Sequence, residues 1–355
     1  MKNKKILMCG PDLIKAKGGI VTVAKNCVNY NHWEEFDITY IPVYSPGNKI
    51  HILKFFLLAL IKIYLFTKKN SVEVLYLHTA ERGSFFRSEV IIHFFKKQPI
   101  ILHHHAAEFE DFYAKLPKLW QKSIDRTLAN VDVNIVLSKS MMNSLKSKSP
   151  NANFIVLHNA VNVPENNQYN INAKNILFLG QITKRKGVYD LLRVAKHLDN
   201  ILDSEIHFFL CGNEGVKQVQ DDIISMGLQK RVMYYGWVDA NQKQQLFKTS
   251  MMNVLPSYNE GLPMSILECM AYGIPTISTN IAGIPELIID GKNGLLNAPG
   301  DLKKLSSNIE CLAKSKKTRQ AFSNEAWETI NAHFNLNTQM RELKNIIRHT
   351  LGKEP

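Results

Sequence analysis

The chain has 355 residues, 45% hydrophobic and 21% charged, a balance that suits a folded protein of two domains and excludes disordered, collagen-like and repeat-built chains. Its formal net charge is +13, with the excess in the first half: residues 1–170 carry 22 basic against 13 acidic side chains, and residues 171–355 carry 22 against 18. Five scattered cysteines with no Cys-x-x-Cys pair point away from a disulfide framework or a zinc site and read as buried free thiols in a reducing compartment.

In chain order, a basic flank is followed by an apolar run at residues 6–9. That run is too short for the core of a signal peptide. It reads as a first buried strand, and a cytoplasmic location is expected. Gly18-Gly19 follows and opens a helix over residues 20–30; such a pair alone marks a turn. Apolar runs at 38–42, 74–78, 100–103, 134–137 and 154–157 predict further strands. Helical patterns at 52–66, 84–95, 116–129 and 139–146 fill the intervals. This alternation predicts a parallel sheet with helices on both faces. Segment 52–66 is apolar, but it is short for a membrane span and is interrupted by Lys54 and Lys62. A helix packed on the sheet is expected there, with a helix lying in a membrane interface as the second reading.

Two predicted strands of this half end on histidines, His78 in one and His103-His104-His105 in the other. Strand alternation puts His103 and His105 on one side. A metal site is one reading of the cluster and local packing the commoner one. Residues 164–173 are polar, Asn-rich and aperiodic, which predicts a domain linker. Beyond it, strands at 175–179, 206–210, 232–235, 252–255 and 276–278 alternate with helices at 188–198, 216–226, 241–247 and 263–272. Residues 302–351 read as helical throughout. The basic first half suits anionic lipid or a phosphorylated substrate. With no nucleic-acid motif, nucleic acid is not an expected partner.

The most specific chemistry lies in residues 255–275, where a strand ends, a polar loop Pro-Ser-Tyr-Asn-Glu-Gly-Leu follows and a helix opens at Pro263. Proline suits the first helical turn. Backbone N–H groups at a helix start hold phosphate oxygens, and Gly261 admits close approach. Glu260 in the loop and Glu268 in the helix supply carboxylates that accept hydrogen bonds from vicinal hydroxyls, such as those of sugars and ribose. Solvated acids at a helix start would not account for the glycine, the proline and both carboxylates together.

Glu-x7-Glu in this setting, followed by Gly273-Ile-Pro-Thr-Ile-Ser278 and Gly283-Ile-Pro-Glu-Leu287, resembles retaining glycosyltransferases of family 4. The resemblance implies the GT-B fold, an α/β architecture of two Rossmann-like doubly wound domains facing across a cleft, with a C-terminal helix returning to the first domain. Domains are expected at 1–165 and 174–332 and the returning helix at 333–355. The resemblance further implies that Glu260 contacts the donor hexose, Glu268 the ribose, and the backbone at Gly261 and Leu262 the diphosphate.

Residues 179–187 resemble the family's Gly-Arg-x4-Lys-Gly motif. Lys186 matches the Lys, Gln181 stands in place of the usual Arg, and Arg185 is the candidate replacement. A cation here would neutralise the departing diphosphate; read alone, the segment is a solvated basic turn. Residues 103–109 resemble the family's His-Gly loop with Ala106 in the glycine position, which makes His105 the histidine near the donor sugar and His103 the second choice. The resemblance turns Gly18-Gly19 into a loop facing donor or acceptor, and sets Gly212, Trp237 and Val238 beside the nucleotide. Residues 157–162 resemble the family's hinge motif, and His78 and His103 are candidates on the acceptor side. The implied reaction moves a hexose from a nucleotide-diphosphate sugar, UDP-sugar first, to a saccharide acceptor with retention. His105, Lys186 and Glu260 are its catalytic candidates, and no metal or cofactor is expected. The acceptor is expected to be lipid-linked, in capsule, exopolysaccharide or other cell-surface glycan synthesis, with peripheral contact to an anionic membrane. Two alternatives keep the fold. A sugar-nucleotide epimerase sits poorly with Glu-x7-Glu. An inactive subunit that positions a membrane partner draws support from Gln181 and Ala106.

Overall fold

The computed structural model describes residues 3–352; the outermost residues of the expected terminal segments, 1–2 and 353–355, lie outside them. Two compact units emerge, one formed by residues up to Asn159 together with those from Leu336 onward, the other by Ala160–Asn335.

In the first unit β1 (Lys4–Pro11), β2 (Phe36–Tyr44), β3 (Val72–Thr79), β4 (Ile100–His104), β5 (Val133–Val136) and β6 (Phe154–Val156) form a parallel sheet of order β2-β1-β3-β4-β5-β6. Parallel strands are buried on both faces, so alternate residues feed two cores. Leu7 and Cys9 of β1 join one cluster, Ile6 and Met8 the other. The first cluster lies under α2 (Lys49–Lys69), α3 (Gly83–Phe94) and α5 (Lys118–Asn130), and takes in Phe109 and Phe112 of the short α4 (Phe109–Ala114). The second cluster holds Cys27 of α1 (Gly19–Asn29) and Met340, Leu343 and Ile347 of α14 (Leu336–Thr350). α6 (Lys139–Lys148), capped by Ser138, joins β5 to β6.

α2 is longer than the sequence reading. Asn48 caps it by accepting from the His51 N–H at 2.9 Å, and the Asn70 N–H closes it on the Phe66 carbonyl. At 21 residues it is long and apolar enough to cross a membrane by length and composition, so Lys54 and Lys62 do not shorten it. Only part of it packs as expected: Phe56, Ala59 and Ile63 are buried, while its outer face is exposed.

The second unit carries β7 (Asn175–Leu179), β8 (His207–Cys211), β9 (Val232–Gly236), β10 (Ser250–Leu255), β11 (Thr276–Thr279) and β12 (Gly294–Asn297), ordered β12-β11-β10-β7-β8-β9 and parallel throughout. The strand order reverses between β7 and β10, the switch point at which doubly wound sheets bind ligands beyond their carboxyl ends. Around it run α7 (Val188–Leu198), α8 (Val216–Ser225), α9 (Ala240–Thr249), α10 (Met264–Ala271), α11 (Ile284–Leu287), α12 (Leu302–Lys314) and α13 (Lys316–His333). α9 opens on a capping box of Asp239 and Gln242. Pro263 is the cap of α10, one residue before its first turn.

The segment expected to be a linker belongs to the second unit. Tyr169 donates its hydroxyl to the Met251 carbonyl at 2.8 Å, and the Asn167 amide donates to Ser323 at 2.9 Å. Its polar composition serves hydrogen bonds to the folded surface rather than solvation. The chain changes unit at Asn159 and again at Asn335. Cys9, Cys27, Cys211 and Cys269 are buried free thiols; Cys311 is exposed.

Candidate functional site

The loops that leave β7 and β10 are bound to each other. Tyr258 donates its N–H to the Arg185 carbonyl at 2.7 Å, and the Arg185 guanidinium donates back to the Asn259 carbonyl at 2.9 Å. A 3-10 turn, Lys184–Lys186, ends at Gly187 with φ 74°. A Cβ at Gly187 would lie 2.0 Å from the Pro256 carbonyl oxygen, and one at Gly212 would lie 1.8 Å from that of Gly180. Side chains are excluded at both positions because backbone meets backbone.

These loops enclose Glu260, which is 5% exposed. One of its oxygens accepts from Lys186 Nζ at 2.5 Å and from Ser257 Oγ at 2.7 Å. Ser257 is held in turn by its carbonyl, which accepts from the Thr279 hydroxyl at 2.7 Å. A buried carboxylate needs such partners, since desolvation strips it of water. The sequence reading named Lys186 and Glu260 and left Ser257 without a role; a serine three residues before the glutamate is the signal that marks it.

Gln181 and Arg185 are joined to each other. Arg185 Nη2 donates to Gln181 Oε1 at 3.0 Å, and Gln181 Nε2 donates to Glu214 Oε1 at 2.8 Å. The guanidinium is thus directed to the Glu260 loop, while Gln181 bridges it to the loop after β8. Tyr258 donates to Asp190 of α7 at 2.5 Å, and that bond raises the phenol's pKa. Glu268, on α10, is clasped by Lys243 of α9, whose Nζ reaches both carboxylate oxygens at 2.7 and 2.9 Å. Lys243 lies 25 residues upstream in a polar helix, and no local pattern announces it. The Gly261 carbonyl accepts from the Gly283 N–H at 3.0 Å, Leu262 is buried, and both precede the start of α10. Trp237, after β9, is 43% exposed. Val238 is packed with Leu179 and Phe209, so its side chain is committed to the core.

Gly18, Gly19, His78, His103 and His105 belong to the first unit. Gly18 has φ 120° and caps α1, which Gly19 opens. His78 and His103 are opposite each other in the β3–β4 register. His78 Nδ1 and His105 Nε2 lie 3.0 Å apart, and the Tyr76 hydroxyl lies 2.6 Å from His103 Nδ1. His103 and His105 share a side, with ring centroids 4.1 Å apart, whereas His104 turns to Asn134 at 3.0 Å. Burial lowers the pKa of all four, His78 to about 3 and His104 to about 4. Neutral rings in reach of one another, with one nitrogen from each of His78, His103 and His105 inside 4.8 Å, form the group among the described residues that could hold a metal ion. Both the metal and the packing readings of the cluster meet here; Tyr76, the packing partner, was not singled out from sequence.

Residues 163–329 match the family described as Glycosyl transferases group 1. An uncharacterized 41.2 kDa protein in the cps region of Klebsiella pneumoniae is 27% identical over 79% of this chain and 83% of its own. An uncharacterized glycosyltransferase of Methanocaldococcus jannaschii is 32% identical over 56% of this chain and 57% of its own. Among solved structures, sucrose-phosphate synthase from Thermosynechococcus elongatus superposes with a TM-score of 0.83 at 14% identity, covering 99% of this chain and 100% of that one. Anabaena HepE, solved with UDP and glucose, gives 0.79 at 14%, covering 98% and 100%. The fold is GT-B, and the residues that match the group 1 family lie in the second unit.

Proposed function

We propose that this chain, with its group 1 domain over residues 163–329, is a retaining glycosyltransferase that moves a hexose from a UDP-sugar to a saccharide acceptor. The observation that carries the reading is the Lys186–Glu260–Ser257 constellation at the strand-order switch of the second sheet. Glu260 would hold donor-sugar hydroxyls, Lys186 would meet the diphosphate, and Glu268 would accept from the ribose. The start of α10 adds the positive end of a helix to the same end of the sheet. In the reaction the bond from the sugar's anomeric carbon to the diphosphate oxygen breaks, and the acceptor oxygen bonds that carbon on the same face. The acceptor proton passes to the departing phosphate oxygen. His105 is proposed to meet the donor sugar and His78 the acceptor. The nucleotide assignment draws support from the UDP in the HepE structure. A lipid-linked saccharide acceptor of capsule-type synthesis draws support from the cps-region relative.

A radiolabelled-donor screen over uridine and guanosine diphosphate sugars, with lipid-linked saccharides as acceptors, tests the reading. Transfer or donor hydrolysis with a uridine sugar is expected; silence with every donor, although the protein is folded, overturns it. The anomeric configuration of the product, read by NMR, tests retention.

A further inference from the structure

We propose that the outer face of α2 is a membrane-docking surface that seats the first unit on anionic lipid. Ile50, Leu53, Leu57, Leu58, Ile61 and Leu65 are each at least half exposed. At 100° per residue they fall within an arc of about 140°, a continuous apolar stripe. Isolated exposed leucines are ordinary on a protein surface, but a contiguous stripe marks an interaction site. The opposite side of the helix carries the buried Phe56, Ala59 and Ile63 and packs over β2 and the sheet core. The helix is therefore held flat by one stripe while it presents the other.

Charge identifies the occupant. No acidic residue occurs between Asp37 and Glu73, whereas Lys49, Lys54, Lys62, Lys68 and Lys69 all lie on this helix. On the helical wheel Lys54 and Lys68 fall inside the apolar arc, and Lys62 and Lys69 flank it. Lysine stems lie along apolar surface while their ammonium groups reach outward. A protein partner with a matching apolar groove would have to bury those ammonium groups; a bilayer interface takes the leucines into its acyl boundary and leaves the lysines among anionic headgroups. Crossing the bilayer would require pulling Phe56, Ala59 and Ile63 off the sheet, so the helix lies parallel to the membrane. The surface does not depend on the donor reading.

Sedimentation of the full chain with vesicles tests the proposal. Binding to phosphatidylcholine vesicles containing phosphatidylglycerol should exceed binding to phosphatidylcholine alone at least tenfold at low salt, and raised salt should shrink the difference. The pair Leu57→Glu and Ile61→Glu should lose at least tenfold. The pair Lys54→Ala and Lys62→Ala, which leaves the apolar stripe intact, should lose roughly 25-fold on anionic vesicles and little on neutral ones. Wild type that ignores anionic vesicles, or variants that bind as wild type does, overturn the proposal. So does a wild-type dimer that the Leu57 and Ile61 substitutions dissociate, since the face would then join two copies. UDP binding measured on the same samples reports the transferase reading separately.

Discussion

Glu260 is so little exposed that its charge must be met by the protein, and Lys186 and Ser257 meet it. Removing one partner of a buried pair strands the other, at about 3–5 kcal/mol. Lys186→Met should lower the unfolding free energy by about that amount, and adding Glu260→Gln should restore much of it while transfer stays at least about a hundredfold down. Denaturant melts and donor assays on Lys186→Met, Glu260→Gln and the double variant decide; full additivity of the stability losses would sink the argument. Because the turn that carries Arg185 and Lys186 sets cations at this end of the sheet, transfer should survive chelation by EDTA, and a loss reversed by added divalent metal would contradict it. The histidines set a pH limit. Their folded pKa values lie below the ordinary value near 6.5, so below pH 6.5 the unfolded chain binds protons that the folded chain refuses. Stability should be flat above that point and fall below it, by about 2 kcal/mol per neutral histidine at pH 5. Melting curves at pH 7.5 and 5.0 check this, and an unchanged midpoint would refute it. The carboxylates and Lys186 were legible because motif spacing carries them. Lys243, Asp190 and Tyr76 were not, because each meets its partner only through tertiary packing.

Elements were legible where periodicity is strong. The strands at 175–179 and the helix at 188–198 stand where the apolar runs put them. β12 was missed because Gly294-Leu-Leu-Asn297 is too short to show a period, and α4 because its aromatic residues follow directly on the histidine loop. The polar stretch at 164–173 misled, since asparagines that bond to a folded surface look the same in sequence as asparagines in water. Gly187 illustrates the cost of loop geometry. Gly187→Ala combines left-handed strain of about 1–2 kcal/mol with a Cβ driven into the Pro256 carbonyl. The β7 and β10 loops should separate, lowering the melting midpoint and weakening UDP binding by calorimetry at least tenfold. Wild-type affinity in this variant would show that the loop contact does not position the site.

The whole chain makes one unit from its two ends and the other from its middle. The core containing Ile6, Met8, Val74 and Tyr76 is completed by Leu336, Met340, Leu343 and Ile347. A chain ending at residue 335 should therefore lose the first unit's cooperative unfolding while its second unit still binds UDP. A single melting step that UDP raises would bear this out, and a retained cooperative step of the first unit would not. The same arrangement imposes an order of events at the ribosome. At roughly 5–20 residues per second, the sheet completed at β6 waits about 10–35 seconds for α14 to begin. Through that interval the half-covered sheet, with the leucine stripe of α2 beside it, is exposed to chaperones and proteases, and the molecule's quality control waits on α14.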